Sequence, residues 1–321
     1  MDTAKNLHSL GLPTDLVAEK EVTTAANIML TEGPAVDAEG NVFFSDITNN
    51  RIMKRAPDGA VSIWRADSGR ANGNMFDAEG RLVTCEGAEF GEGGRRRMTR
   101  TDMRTGAVEI LTDRYEGKRY NSPNDLVIDA LGRIYFTDPR YGDRSDMEMD
   151  VEAVYRMDPD GRVTRLLGQP AVQKPNGITI SPDNRTLYVV DSNPVPGGNR
   201  KIWAFDIGTD GRLSGQRLVY DFAPGRGGDG MRMDIQGNLW IAAGVHRPHR
   251  AGITTDVPTG VYVMTPTGQM LGRIPVPEDL FTNLTFGGPD LKTLYMVSGK
   301  SLFSIRVNVA GHLLYPRPAG K

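Results

Sequence analysis

The chain has 321 residues, and its 38 Lys and Arg side chains nearly balance 40 Asp and Glu side chains, leaving a net charge of −2 at pH 7. A protein with almost no net charge does not attract nucleic acid or an anionic membrane surface electrostatically, so we expect neither as a partner. Cys85 is the only cysteine, which excludes an intramolecular disulfide. The first residues lack the pattern of a signal peptide and no segment reaches membrane-spanning length, so we expect a cytoplasmic protein.

A hairpin-turn signal followed by an apolar run recurs along the chain and predicts six repeated units. The signal is Asp-x-x-Gly or a degenerate form of it, and it begins at Asp37, Asp77, Asp129, Ser181, Asp234 and Gly288. A second turn containing Gly follows in each unit, although in the sixth the candidate near Gly311 is weak. Both signals suit hairpins, because Gly and Asx residues tolerate positive φ.

The segments between these turns are short, rich in β-branched and aromatic residues, and without a sustained helical period. Six four-stranded antiparallel units of this size predict an all-β, six-bladed β-propeller that forms one domain over residues 1–321. The sixth unit lacks a clear outermost strand. We expect residues 15–22, within an N-terminal segment 1–22, to supply it in preference to the C-terminal tail, 309–321.

The predicted topology sorts the connections onto two faces of the propeller. Tight turns after the first and third strands of each blade share one face. The links after the second and fourth strands share the other, and these include all the long segments, such as 86–99, 138–152 and 244–259. Long loops in a compact domain are usually functional, so we expect the functional site at this mouth of the channel.

One position at the start of each innermost strand carries a carboxylate or amide side chain. It lies eight residues before the fourth residue of each first turn and is occupied by Glu32, Asn72, Asn124, Asn176, Asp229 and Asn283. Equivalent positions form a ring around the channel, and such a set of hard oxygens suits calcium, with magnesium or manganese as substitutes. Capping of strand ends is the alternative reading for Asn72 and Asn283. Glu32 and Asp229, in contrast, would repel each other without a cation.

Motifs around these positions match a known family in order along nearly the whole chain. They are TEGP at 31–34, NSPNDL at 121–126, FTDP at 136–139, PNGI at 175–178, GDGM at 228–231 and FGGPD at 286–290. In these stretches the chain resembles the gluconolactonase and senescence marker protein (regucalcin-like) family of calcium-dependent six-bladed propeller lactonases. The resemblance implies that Glu32, Asn176 and Asp229 hold the metal, that Asn124 adds an oxygen or binds substrate, and that Asp229 is the base. Ser122 departs from the animal members, which have an arginine there.

The resemblance implies hydrolysis of a small-molecule lactone, an aldonolactone such as gluconolactone. A divalent cation, Ca²⁺ by preference with Mg²⁺, Mn²⁺ or Zn²⁺ as alternatives, would act as a Lewis acid on the carbonyl. Asp229 is the first candidate for the base and Glu32 the second. The expected substrate contacts are Asn124, Asn72, Asn283, His246 and Arg247.

The residues His246 and Arg247 belong to a long predicted loop, 245–259, that also contains His249 and Arg250. We expect this loop to influence the choice of substrate. Two other functions remain open from the sequence: a phosphotriesterase using the same metal site, and a propeller that binds a partner and uses calcium only for rigidity. The oligomeric state is left open.

Overall fold

Six four-stranded antiparallel sheets surround a central channel in the structure, a computed structural model that describes residues 11, 15–18, 23–27, 30–248 and 253–316. Within these residues every regular element is a β-strand. The prediction of an all-β, six-bladed propeller is therefore confirmed. None of the described residues belongs to a helix long and apolar enough to cross a membrane.

The strands are numbered in chain order, and each blade contains four of them. The innermost strands of blades one to six are β2 (Thr31–Val36), β6 (Ala71–Phe76), β12 (Leu126–Ile128), β16 (Pro175–Ile180), β20 (Gly228–Met233) and β24 (Phe281–Gly287). The second strands are β3 (Val42–Asp46), β7 (Leu82–Glu86), β13 (Ile134–Asp138), β17 (Thr186–Ser192), β21 (Leu239–Ala243) and β25 (Thr293–Ser298).

The third and fourth strands lie farther from the channel. The third strands are β4 (Arg51–Arg55), β8 (Arg97–Thr101), β14 (Ala153–Met157), β18 (Arg200–Ile207), β22 (Gly260–Met264) and β26 (Ser301–Arg306). The outermost strands are β5 (Val61–Ala66), β9 (Val108–Thr112), β15 (Val163–Leu167), β19 (Leu213–Asp221), β23 (Met270–Pro275) and β1 (Thr23–Asn27). Between blades two and three the chain forms a small hairpin of β10 (Arg114–Tyr115) and β11 (Lys118–Arg119).

The core lies between neighbouring blades rather than inside any one of them. Strands β2 and β3 are buried along their whole length, whereas the outermost β5 is largely exposed. Aromatic pairs join adjacent blades: Trp240 meets Phe286 edge-on at 5.2 Å, and Phe43 meets Phe76 at 5.7 Å. Each innermost strand contacts the next, and β24 contacts β2, so the ring is closed.

The first turn of each blade has the geometry that its residues favour. In the turn that begins at Asp77, the Gly80 N–H donates to the Asp77 carbonyl at 2.9 Å, and the Arg81 N–H donates to the Asp77 carboxylate at 2.9 Å. Gly80 has a φ of +75°, which a residue with a side chain adopts only at a cost. The turn thus fixes where the innermost strand ends and the second strand begins.

The outermost strand of blade six comes from the N-terminal part of the chain. β1 pairs antiparallel with β26, with Thr23 opposite Ser304. This strand begins after the segment 15–22 that was expected to supply it; in the described part of that segment, Val17 forms an isolated bridge with Val307. Because β1 and β26 lie far apart in sequence, no turn joins them, and the turn predicted near Gly311 is wrong.

The C-terminal tail, described as far as residue 316, crosses the channel at the face of the tight turns. The His312 N–H donates to the Met233 carbonyl of blade five at 2.8 Å. Farther along, the ring of Tyr315 packs against Phe76 of blade two, with centroids 5.6 Å apart. The tail therefore spans the opening opposite the long loops.

Candidate active site

A cavity of about 150 Å³ lies at the mouth formed by the long loops and opens to solvent. A concave site with a few convergent polar groups is the usual form of a small-molecule site. Five of the six predicted ring residues line it: Glu32, Asn72, Asn124, Asn176 and Asp229. The sixth, Asn283, is buried deeper in the channel, where its Nδ2 donates to the Glu32 carboxylate at 3.1 Å. Asn283 therefore acts as a positioning residue in this structure and does not line the cavity.

The ring residues converge because adjacent innermost strands approach very closely where they begin. Gly33 and Gly177 each follow a ring residue, and a Cβ added at either would lie 2.1 Å from a carbonyl oxygen of the next blade. These oxygens belong to Asn72 and Asp229 respectively. Glycine is required for such an approach of one backbone to another. The backbone next to Glu32 and Asn176 thus lies directly against the backbone of the next blade.

Glu32 is buried and is held by two hydrogen-bond donors. Its Oε2 accepts from the Gly33 N–H at 2.8 Å as well as from Asn283. Burial, and then the nearby carboxylates of Asp229 and Asp125, raise the pKa of Glu32 well above its ordinary value. Among the residues the structure describes, Glu32 makes no ion pair. When ionised, its carboxylate therefore has no cationic partner in the described part of the chain.

Asp229 differs from Glu32 because it has a cationic partner. Nη2 of Arg226 donates to Oδ2 of Asp229 at 2.5 Å. Burial raises the pKa of Asp229 to about 6, and Arg226 opposes this rise. Arg226 also lines the cavity, and the sequence analysis did not single it out. The sequence feature that could have identified Arg226 was its position three residues before Asp229.

A second buried ion pair lies in the channel and was also missed. Arg232 Nη1 is 3.3 Å from Oδ2 of Asp125, and both side chains are almost completely buried. Asp125 follows the ring residue Asn124, at the place where Glu32 and Asn176 are followed by glycine. The sequence feature that could have predicted a charged side chain in the channel was an acidic residue next to a ring position in a buried strand.

Tyr141 anchors the amide of Asn176 from the loop after β13. Its hydroxyl accepts a hydrogen bond from Asn176 Nδ2 at 2.9 Å and donates one to the Ser192 carbonyl at 3.3 Å. Lys174 Nζ lies 4.8 Å from the centre of the ring. Burial raises the pKa of Tyr141 well above its ordinary value, so the hydroxyl stays neutral. No repeat or motif marked this residue in the sequence.

The donor set is compatible with a hard divalent cation. Oδ1 of Asn72 is buried and has no hydrogen-bond partner among the described residues, which is uncommon for a polar atom and leaves an oxygen available. Within the described ranges no three His, Cys, Asp or Glu side chains form a metal-binding group. A cation would therefore depend on amide oxygens together with Glu32 and Asp229, a combination that calcium accepts.

Residues 30–300 match the protein family described as the SMP-30/Gluconolactonase/LRE-like region. The chain belongs to this family. A gluconolactonase of Zymomonas mobilis is 32% identical over 314 residues, covering 89% of this chain and 81% of that protein. A 6-deoxy-6-sulfogluconolactonase of Pseudomonas putida is 28% identical over 292 residues, covering 84% and 88% respectively. The solved structure of a Xanthomonas campestris gluconolactonase superimposes with a TM-score of 0.78 at 33% identity, covering 93% and 94% of the two chains.

In this member of the SMP-30/gluconolactonase family, the two residues of the loop after β21 that we expected in the cavity do not line it. The main-chain N–H groups of His246 and Arg247 donate to the carboxylate of Asp279, and His246 Nε2 lies 2.8 Å from the Val276 carbonyl. These contacts keep both residues at the base of the loop, and neither lines the cavity. Ile253 of the same loop does. His249 and Arg250 lie outside the described residues.

Proposed function

We propose that the protein hydrolyses aldonolactones, such as gluconolactone, with the help of a divalent cation, calcium by preference. The observation that carries this proposal is the ring itself, in which five carboxylate or amide side chains from five blades line one cavity. The relatives support a lactonase, since those compared above are gluconolactonases and a related sugar lactonase. They do not favour the phosphotriesterase or the non-enzymatic alternative.

Asp229 is the base in this proposal. Lactone hydrolysis adds water to the carbonyl carbon and breaks the bond between that carbon and the ring oxygen, so one proton must leave the water and one must reach the departing oxygen. With a pKa of about 6, Asp229 is mostly ionised at neutral pH and can accept the first proton. The hydrogen bond from Arg226 keeps the carboxylate in one orientation. The protonated carboxyl can then return the proton to the ring oxygen.

Glu32, Asn176 and Asp229 would hold the cation, with Asn124 as a further oxygen donor or a substrate contact. When bound, the cation supplies Lewis-acid polarisation of the lactone carbonyl. Glu32 contributes a negative charge that has no cationic partner among the described residues, and Asn283 fixes its carboxylate. Tyr141 positions Asn176. The amide of Asn72, whose Oδ1 has no hydrogen-bond partner in the part of the chain that the structure describes, is available to a substrate hydroxyl.

The proposal is tested with the full chain and a panel of pentono- and hexonolactones, alongside an organophosphate triester. Acid release is followed with a pH indicator, and spontaneous ring opening is subtracted. We expect turnover of an aldonolactone that disappears with chelator and returns best with calcium, compared with magnesium, manganese and zinc. Faster turnover of the triester would favour the phosphotriesterase. A folded, calcium-binding protein with no turnover of either substrate would favour the binding propeller.

A further inference from the structure

One side of the cavity is lined by large apolar side chains. Leu30, Ile47, Phe90 and Leu280 come from the neighbouring blades six, one and two. Phe90 is 55% exposed and Leu280 is 40% exposed, although both are large and apolar. Leu30 is partly buried and Ile47 is buried. Exposed apolar side chains that line a cavity together with polar groups indicate a contact with a ligand.

Three of these residues adopt a backbone conformation that bulky side chains avoid. The φ angles are +38° at Leu30, +65° at Phe90 and +60° at Leu280. A left-handed conformation is rare for such residues, and persists at functional sites where the surroundings impose it. Because Phe90 and Leu280 are exposed, burial of their side chains does not explain why the strain is retained. Both side chains line the cavity instead.

Main-chain hydrogen bonds join three of the apolar residues into one surface. The turn at Gly299 lies between two of them: its carbonyl accepts from the Thr31 N–H at 2.8 Å, and its own N–H donates to the Leu280 carbonyl at 3.0 Å. The Ile47 N–H donates to the Leu30 carbonyl at 3.3 Å. Leu280, Leu30 and Ile47 are thus held side by side.

Arg70 connects this surface to the loop that carries Phe90. Its Nη1 donates to the Ile47 carbonyl at 2.8 Å, and its Nε donates to the Glu92 carbonyl at 2.7 Å. The segment with Phe90 is therefore fixed to the same framework. The four apolar residues Leu30, Ile47, Phe90 and Leu280 all line the cavity and are called here the apolar wall.

We propose that the apolar wall is a binding subsite for an alkyl or aryl substituent on the lactone, so that lactones carrying such a group are better substrates than the unsubstituted ring. This rests on the proposed lactone hydrolysis and extends its substrate class beyond sugar lactones. The lactone would lie against the ring residues of the channel, near Asp229 and Asn176. The substituent would extend across the wall toward Phe90.

The first test is a series of δ-lactones with unbranched alkyl substituents from methyl to heptyl, assayed with gluconolactone as reference. Burial of each methylene on the wall should raise kcat/KM by up to about fourfold. We expect kcat/KM to rise with chain length until the wall is covered. A value that is flat or falls with chain length, while gluconolactone is hydrolysed, would overturn the proposal.

The second test uses Phe90→Asn and Leu280→Asn, separately and together. Asn tolerates the left-handed conformation, so these variants keep the backbone while removing the apolar surface. The dependence of kcat/KM on chain length should weaken, with the largest losses for the longest chains. Ile63→Asn is the matched control, because Ile63 is 52% exposed on the outermost strand β5 and does not line the cavity. An unchanged chain-length dependence in the double variant would contradict the proposal.

Binding of alkyl lactams separates this inference from the proposed reaction. A lactam has an N–H in place of the ring oxygen and resists hydrolysis, so its affinity is measurable by calorimetry without turnover. Affinity that rises with chain length, in a protein that opens no lactone, would retain the subsite and reject lactone hydrolysis. Affinity independent of chain length would reject the subsite whatever the activity.

Discussion

The guanidinium of Arg226 and the carboxylate of Asp229 form an ion pair in the wall of the cavity, with 2.5 Å between Nη2 and Oδ2. Glu32, the other carboxylate of the ring, makes no ion pair among the described residues. Within the described residues, therefore, one carboxylate has a cationic partner and the other has none. In the proposed mechanism the two differ accordingly: Arg226 orients Asp229, whereas Glu32 is the carboxylate whose charge a bound cation would compensate.

Replacing Asp229 with Asn should separate proton transfer from metal binding. An amide oxygen can still bind calcium, although with lower affinity, but it cannot accept a proton. At saturating calcium we expect kcat to fall by about a hundredfold to ten-thousandfold, the usual effect of losing a general base. Steady-state kinetics and calcium titration of the same preparation test this. Asp210→Asn, in an exposed turn, is the control, and near-normal kcat in Asp229→Asn with metal bound would place the base elsewhere.

Removal of the Arg226 charge should shift the pH dependence of kcat/KM. Arg226 lowers the pKa of Asp229, so in Arg226→Gln the carboxyl should hold its proton to a higher pH. The base works only when deprotonated, and the acidic limb of kcat/KM should therefore shift to higher pH by about one unit or more. Arg217→Gln, which removes an exposed guanidinium, should leave the profile in place. A limb that stays fixed or moves to lower pH in Arg226→Gln would show that Asp229 does not control it.

Glu32→Gln should act mainly on the affinity for the cation. The glutamine oxygen can still accept from Gly33 and Asn283, so the fold should be retained. Loss of the uncompensated charge should weaken calcium binding by roughly tenfold to a hundredfold, the loss typical of disturbing a metal site. Excess calcium should restore much of kcat. Failure of any calcium concentration to restore activity would indicate a direct chemical role for Glu32.

The metal-free protein should become less stable as pH rises through the titration of its buried carboxyls. The pKa is about 6 for Asp229 and about 7 for Asp138, both raised mainly by burial, against about 4 in the unfolded chain. Between about pH 4 and 7 the folded protein thus binds more protons than the unfolded chain, and the free energy of unfolding falls as pH rises.

In thermal unfolding with chelator, Tm should drop by roughly 5 °C or more between pH 5 and 7.5. Added calcium should raise Tm more at pH 7.5 than at pH 5, because it binds the ionised carboxylates. A Tm that climbs steadily over this range in chelator, or that ignores calcium at pH 7.5, would contradict the assignment of these groups.

Gly177→Ala should disturb the site through the backbone alone. The added methyl group would lie 2.1 Å from the Asp229 carbonyl oxygen, so one of the two strands must move. We expect a loss of about 1–3 kcal/mol in unfolding free energy, as for an overpacked core, together with lower kcat/KM. Gly106→Ala is the comparison: its φ is +75° but no atom lies near, so it should lose about 1 kcal/mol and retain kcat/KM. Equal activity in both variants would count against the close approach.

The sequence predicted the parts of the site that repeat with the blades. Glu32 and Asp229 lie at the same number of residues before their first turns, as do the other four ring residues. Arg226 and Tyr141 lie in loops that differ from blade to blade, so no register could locate them. His246 shows the reverse case: it occurs in a loop at the predicted face, but its main chain binds Asp279 and it does not line the cavity.

The misplacement of β1 has a related cause. Its sequence is Thr-Thr-Ala-Ala-Asn, which has few of the apolar residues that mark a strand. An outermost strand pairs on one side only and does not need them. Its partner, β26, is instead largely buried. Closure of the ring depends on main-chain pairing between β1 and β26. The amino-acid sequence of residues 23–27 does not indicate that pairing.

The described part of the C-terminal tail lies across the end of the channel opposite the long loops, with His312 bonded to blade five and Tyr315 packed on blade two. The cavity opens at the mouth formed by the long loops. A substrate and a product that share this mouth use the same route in opposite directions. A hydroxy acid that remains bound against Arg226 therefore excludes the next lactone, and the protein should show competitive inhibition by its own product.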